Sequence, residues 1–100
     1  MIYITQLIYI HPNKVSDFLE FERKAFALMA QYNGKIIQRI RPDAACFIEG
    51  EKEKPYEIHI VSFPDESDLQ AYLADDNRQA IKHLKDKSVK SILMFKGQTE

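Results

Sequence analysis

Ile2-Tyr3-Ile4-Thr5-Gln6-Leu7-Ile8-Tyr9-Ile10 sets the architecture of this 100-residue chain. It is rich in β-branched and aromatic residues. Ile2, Ile4, Ile8 and Ile10 form one alternating set, broken only by Gln6, and Tyr3, Thr5, Leu7 and Tyr9 form the other. A strand that is apolar on both sets belongs inside a sheet covered on both faces. His11-Pro12-Asn13 stops it, because proline cannot donate to a ladder and asparagine favours turns. The period then changes. Val15, Phe18, Leu19, Glu22, Phe26, Met29 and Ala30 recur at helical spacing and predict a helix over 15–32. Asn33-Gly34 closes it, with Gly34 expected in the left-handed conformation of a C-terminal cap.

Downstream, 35–41 alternates as Ile36, Gln38, Ile40 against Ile37, Arg39, Arg41, a second strand with one wetter face. Pro42-Asp43 bends it, extended structure is expected to resume over 44–48, and the charged run Gly50 to Pro55 reads as a hairpin turn. In the third strand, 56–63, Tyr56, Ile58 and Ile60 share one face and Glu57, His59, Val61 and Phe63 the other. Asp65 caps a second helix with the apolar stripe Leu69, Tyr72, Leu73. Asp76 with Gln79 reads as a capping pair that starts another turn or two, with Ile81 and Leu84 facing inward. The last strand covers 89–95, and a polar tail begins at Gly97.

The order β-α-β-β-α-β predicts an α+β, ferredoxin-like sandwich: a four-stranded antiparallel sheet with two helices on one face, in one domain spanning 1–100. Its strands are too apolar on both sets to leave the second face in water. A chain of 100 residues has no third layer of its own, so a second copy is the expected cover and the protein is expected to be a homodimer.

With 45% hydrophobic residues and a net charge of -1, the chain is expected to fold and has no field to attract nucleic acid or an anionic membrane. The single cysteine, Cys46, excludes an intrachain disulfide and a CxxC pair, and reads as a small buried hydrophobe. The N-terminal stretch lacks a basic region and a small-residue cleavage site, and no apolar run approaches the roughly 18 residues of a spanning helix. A cytoplasmic protein is the expectation.

Tyr32-Asn33-Gly34 closing the first helix, Val61-Ser62-Phe63-Pro64 ending the third strand, and Leu69-Gln70-Ala71-Tyr72-Leu73-Ala74-Asp75 resemble the dimeric α/β-barrel superfamily. The resemblance runs from about Tyr3 to Phe95 and lies nearest the small bacterial domains grouped with antibiotic-biosynthesis monooxygenase-like proteins. It implies two protomers with sheet faces together, a pocket enclosed between the sheets, and monooxygenase-like or isomerase-like chemistry. The haem-degrading branch carries an Asn-Trp-His constellation, and this chain has no tryptophan. The fold hosts several chemistries, so a non-catalytic sensing or assembly domain is the alternative.

Among groups that could carry chemistry, Glu57 and His59 lie two apart on one strand and hence on one face. A carboxylate beside an imidazole favours its protonated form and tunes it as a general base. These two are the candidate catalytic residues. The sheet order predicted for this fold brings Gln6 near them from the first strand and Arg39 from the second; with Tyr9 they are the candidate ligand-binding residues. The plainer alternative pairs Glu57 with a cation and makes His59 a hydrogen-bonded filler. His11 and His83 read as solvent-facing, and the three histidines show no metal-ligand spacing. No motif calls for a metal or a cofactor. Phe18, Phe21, Phe26 and Tyr72 read as core, whereas Tyr3, Tyr9, Tyr56 and Phe63 are candidates to line a pocket. The RNA-recognition motif shares this topology, but 56–63 lacks its glycine and sets Glu57 among the stacking positions, where it repels phosphate.

Overall fold

A computed structural model describes residues 1–98. The strands are β1 (Ile2–Ile10), β2 (Lys35–Ile40), β3 (Glu57–Phe63) and β4 (Val89–Gln98); the helices are α1 (Val15–Ala30), α2 (Glu66–Ala74), α3 (Asp76–Ala80) and α4 (Lys82–Ser88). All pairings are antiparallel in the order β2-β3-β1-β4, the ferredoxin-like arrangement. No helix among the described residues is long and apolar enough to cross a membrane.

β1 lies centrally, as its two apolar sets require. Ile2, Ile4 and Ile8 are buried toward the helices with Val61 and Phe63 of β3. Leu28 and Met29 of α1 and Leu69 and Tyr72 of α2 close the core over them. The other face carries Tyr3, Leu7, Ile58 and Ile60, half-buried, and Ile40, Leu93 and Phe95, exposed. Phe95 keeps 56% and Leu93 44% of their surface open, so this side of the sheet is an uncovered apolar face.

Several local expectations change. The left-handed residue after α1 is Asn33, at φ 61°, not Gly34. Gly34 is needed for space instead: a Cβ there would overlap Met29 Cγ and lie 2.9 Å from Phe63 Cε1. Residues 44–46 form a turn of 3-10 helix rather than strand, because the Asp43 carboxylate accepts from Ala45 N at 3.0 Å and curls the chain. Cys46 on that turn is exposed, not buried. Asp65 caps α2 as expected, accepting from Asp68 N, but the next cap is Asp75, which accepts from Asn77 N, rather than Asp76. The second helical segment is three short helices, broken where Asp75 turns extended and Ile81 leaves helical geometry. Gly97 does not start a tail: β4 continues, pairing Gly97 with Tyr3 and Gln98 with Ile2. In β2 the register slips between Ile36 and Gln38, a bulge that leaves Ile37 without a partner.

Candidate functional site

Alternation in β3 turns Glu57 and His59 toward the helices. The register sets Gln6 of β1 and Arg39 of β2 on either side of His59, and Met94 of β4 beyond Gln6, so four strands present one row. α1 lies above it and inserts Glu22, which falls on the buried stripe of that helix with Phe18, Ala25 and Met29.

The side chains join in one network. Glu57, fully buried, accepts from Arg39 Nε at 2.7 Å, from Arg41 Nη2 at 2.9 Å and from His59 Nε2. Glu22, also buried, accepts from Arg39 Nη2 through Oε1 at 2.5 Å, while its Oε2 lies 2.7 Å from His59 Nε2. His59 has one hydrogen on Nε2 for two carboxylates. It is committed to Glu57, which leaves Glu22 Oε2 without a hydrogen-bond partner. Burial alone would raise the Glu57 carboxyl, but the hydrogen bonds it accepts from His59, Arg39 and Arg41 outweigh it and hold the group well below the usual range. Burial, with the neighbouring Glu57, raises Glu22 against the opposing pull of His59. Burial would lower His59, yet its contacts with Glu22 and Glu57 prevail and raise it.

Both carboxylates face Nε2, so neutral His59 keeps its proton there. Nδ1 has no protein hydrogen bond among the described residues, and the ring lines a cavity of about 440 Å³ between sheet and helices. Nδ1 is therefore the ring nitrogen not engaged by the carboxylates. The cavity walls are largely apolar, from Ile4 and Ile8 of β1, Phe26 of α1, Phe63 of β3 and Ile92 of β4. Such walls around a few polar groups are the usual make-up of a small-molecule site.

Ligand atoms of Glu22, Glu57 and His59 lie within 4.8 Å of one another, close enough to hold a metal ion. Arg39 and Arg41 already neutralise the two carboxylates, and Glu57 has both oxygens bonded to them. A divalent ion would have to displace two guanidinium groups, so the donor set fits proton chemistry better than metal binding.

The expected ensemble of Gln6, Arg39, Glu57 and His59 does come together, but on the helix side of the sheet. The cavity beside them lies between the sheet and the helices of one chain. The physical reason is that Ile2, Ile4, Ile8, Val61 and Phe63 form the more strongly buried set, and Gln6, Glu57 and His59 share its phase. Tyr9 lies on the opposite face with Tyr3, away from the cluster. Phe63 lines the cavity as expected; Tyr56 instead meets the edge of Phe18 at 5.8 Å. Phe21 and Phe26 are half-buried and line the cavity, Phe26 also packing against the core. His11 and His83 are exposed. Sequence reasoning missed Glu22 and Arg41. The available signals were an acid on the apolar stripe of α1 and an arginine in phase with Arg39.

No protein-family model matches the chain, and no curated protein does. Solved structures do. A protein of unknown function from Rhodopseudomonas palustris superposes with a TM-score of 0.85 at 11% identity, over 99% of this chain and 82% of its own. An antibiotic biosynthesis monooxygenase superposes with a TM-score of 0.70 at 14% identity, over 100% and 99% of the two chains. A dimeric protein of unknown function and ferredoxin-like fold from Bacteroides fragilis gives 0.66 at 13% identity, over 98% and 95%. These neighbours are of the kind the sequence resembles, and at such identities the likeness is one of fold. The chain is a small ferredoxin-like protein.

Proposed function

We propose that the protein binds a small organic molecule in the cavity between sheet and helices, and that His59 exchanges a proton with it as a general base. The observation that carries this is that Nε2 faces two buried carboxylates while the same ring lines an apolar cavity. Glu57 and Glu22 fix the ring and its tautomer, Arg39 and Arg41 balance their charge, and Gln6 offers an amide beside the base. Proton abstraction from an acidic C–H or hydroxyl is a step that isomerase-like and monooxygenase-like chemistry share, and it requires no cofactor at this site. The test is deuterium incorporation into a panel of small cyclic ketones and phenols in D2O, followed by NMR. The wild type should accelerate exchange of at least one, and His59→Gln should return it to the buffer rate. Acceleration that survives His59→Gln removes the role from this residue.

Assembly is a separate proposal: a second copy covers the face bearing Ile40, Leu93 and Phe95, giving a homodimer. The exposure of these residues on a contiguous sheet face supports it. Light scattering should give twice 11.7 kDa; a monomer that persists at high concentration counts against it.

A further inference from the structure

The cavity has a second polar region that the His59 cluster does not use. Arg78 of α3, Lys85 of α4 and Lys96 of β4 all line it. Lys96 is paired with Glu66 at 2.6 Å. Arg78 and Lys85 form no ion pair among the described residues. Arg78 lies over the Tyr72 ring, 4.8 Å from its centroid, and donates from Nη1 to the Tyr72 hydroxyl at 2.8 Å. A guanidinium has five N–H donors, so this fixed orientation leaves several unused. Lys85 is half-buried; burial first and the charge of Arg78 next weaken its hold on a proton. Asp86 offsets part of the charge on Lys85, but two cations bordering an apolar cavity, with neither held in an ion pair among the described residues, are unfavourable for the empty protein. An incoming anion relieves both the repulsion and the unmet hydrogen bonding.

We infer that the ligand of this cavity is an amphiphilic organic anion, whose carboxylate, sulfonate or phosphate is held by Arg78 and Lys85 while its apolar body fills the space toward His59. This rests on the reading that the cavity takes a ligand, and it adds the substrate class. Lys96 and Gln70, both engaged by Glu66, border the same region and are not required.

The test uses a matched pair of fluorescent probes: 8-anilinonaphthalene-1-sulfonate and N-phenyl-1-naphthylamine, the same arylamine without the sulfonate. The wild type should bind the sulfonate about tenfold more tightly, the size expected of one charge-assisted hydrogen bond, and added salt should reduce that preference. Arg78→Gln keeps a donor for Tyr72, and Lys85→Gln removes no hydrogen bond seen here. Each should weaken sulfonate binding severalfold and leave the neutral probe unchanged. Equal affinity of the wild type for both probes overturns the anion assignment but keeps the cavity as a ligand site. Binding of neither overturns the cavity reading itself. Loss of both probes in Arg78→Gln would signal damage to the fold, and Lys85→Gln then decides: an unchanged preference for the sulfonate refutes the inference.

Discussion

Glu57→Gln keeps the volume of the most buried acid among the described residues and removes its charge. Three donors now converge on it, and an amide must turn its own NH2 toward at least one of them. Arg39 and Arg41 are 40% and 50% exposed, so water replaces much of what they lose; each accounts for less than about 1 kcal/mol. His59 is 3% exposed and cannot turn to water; Glu22 Oε2, 2.7 Å away, can take its N–H, but an amide set among these buried donors still costs about 1–3 kcal/mol. The expected loss is therefore about 2–4 kcal/mol, or roughly 8–30 °C in Tm for a domain of this size. Urea unfolding followed by circular dichroism at pH 7, at fixed protein concentration, measures it, with an unchanged slope showing that the unfolded state is the same. The folded Glu57 carboxyl lies below its ordinary 4.5, so the stability it supplies is present above that value and is lost as pH falls toward the folded pKa. The gap between wild type and variant should thus narrow from pH 5 to pH 3. A loss under about 1 kcal/mol at pH 7, or a gap that widens in acid, would refute this account of the network.

His59 is raised from 6.5 in the folded protein, so its contribution is fully present below that value and is lost as pH rises through the folded pKa; the stability gap to His59→Gln should shrink with rising pH in parallel urea titrations. The same shift places the rising limb of any base-dependent exchange rate above pH 6.5, and Glu57→Gln should move that limb to lower pH. Gly34→Ala should cost about 1–3 kcal/mol by calorimetry through overlap with Met29, an overpacking penalty that a merely conformational role would not produce. Phe18→Ala removes a ring that is 1% exposed and should cost about 3–5 kcal/mol. Phe95→Lys should halve the mass seen by light scattering while leaving the circular dichroism spectrum intact, if the bare sheet face is the dimer contact.

Strand and helix order could be read from the chain because period and punctuation agree there: two apolar sets in 2–10, a helical stripe from Phe18 to Met29, and Asp65 ahead of an acidic first turn. Where neighbouring residues offer equal signals, local sequence does not choose. Asp75 and Asp76 are equally good caps, and the chain takes the first because its carboxylate reaches Asn77 N at 2.7 Å. The same holds for Asn33 and Gly34, where packing against Met29 and Phe63 assigns the roles. The site was half legible. Alternation puts Glu57 with His59, and antiparallel pairing brings Gln6 and Arg39. Which face the helices cover is a tertiary matter when both faces are apolar, and that alone puts the cluster on the helix side of the sheet. Glu22 arrives from a different element, and no spacing rule links it to His59.

The slip in β2 has a consequence for how the molecule avoids the wrong company. This strand forms one rim of the sheet, and all six of its residues are solvent-exposed. A regular rim with Ile36, Ile37 and Ile40 open to water would template a foreign strand, the route by which sheets grow into fibres. Because Ile37 interrupts the spacing of donors and acceptors, an incoming strand can match the ladder before it or after it, but not both. Excising that one residue would restore an even rim to the strand. The irregularity thus works against growth of the sheet along this margin.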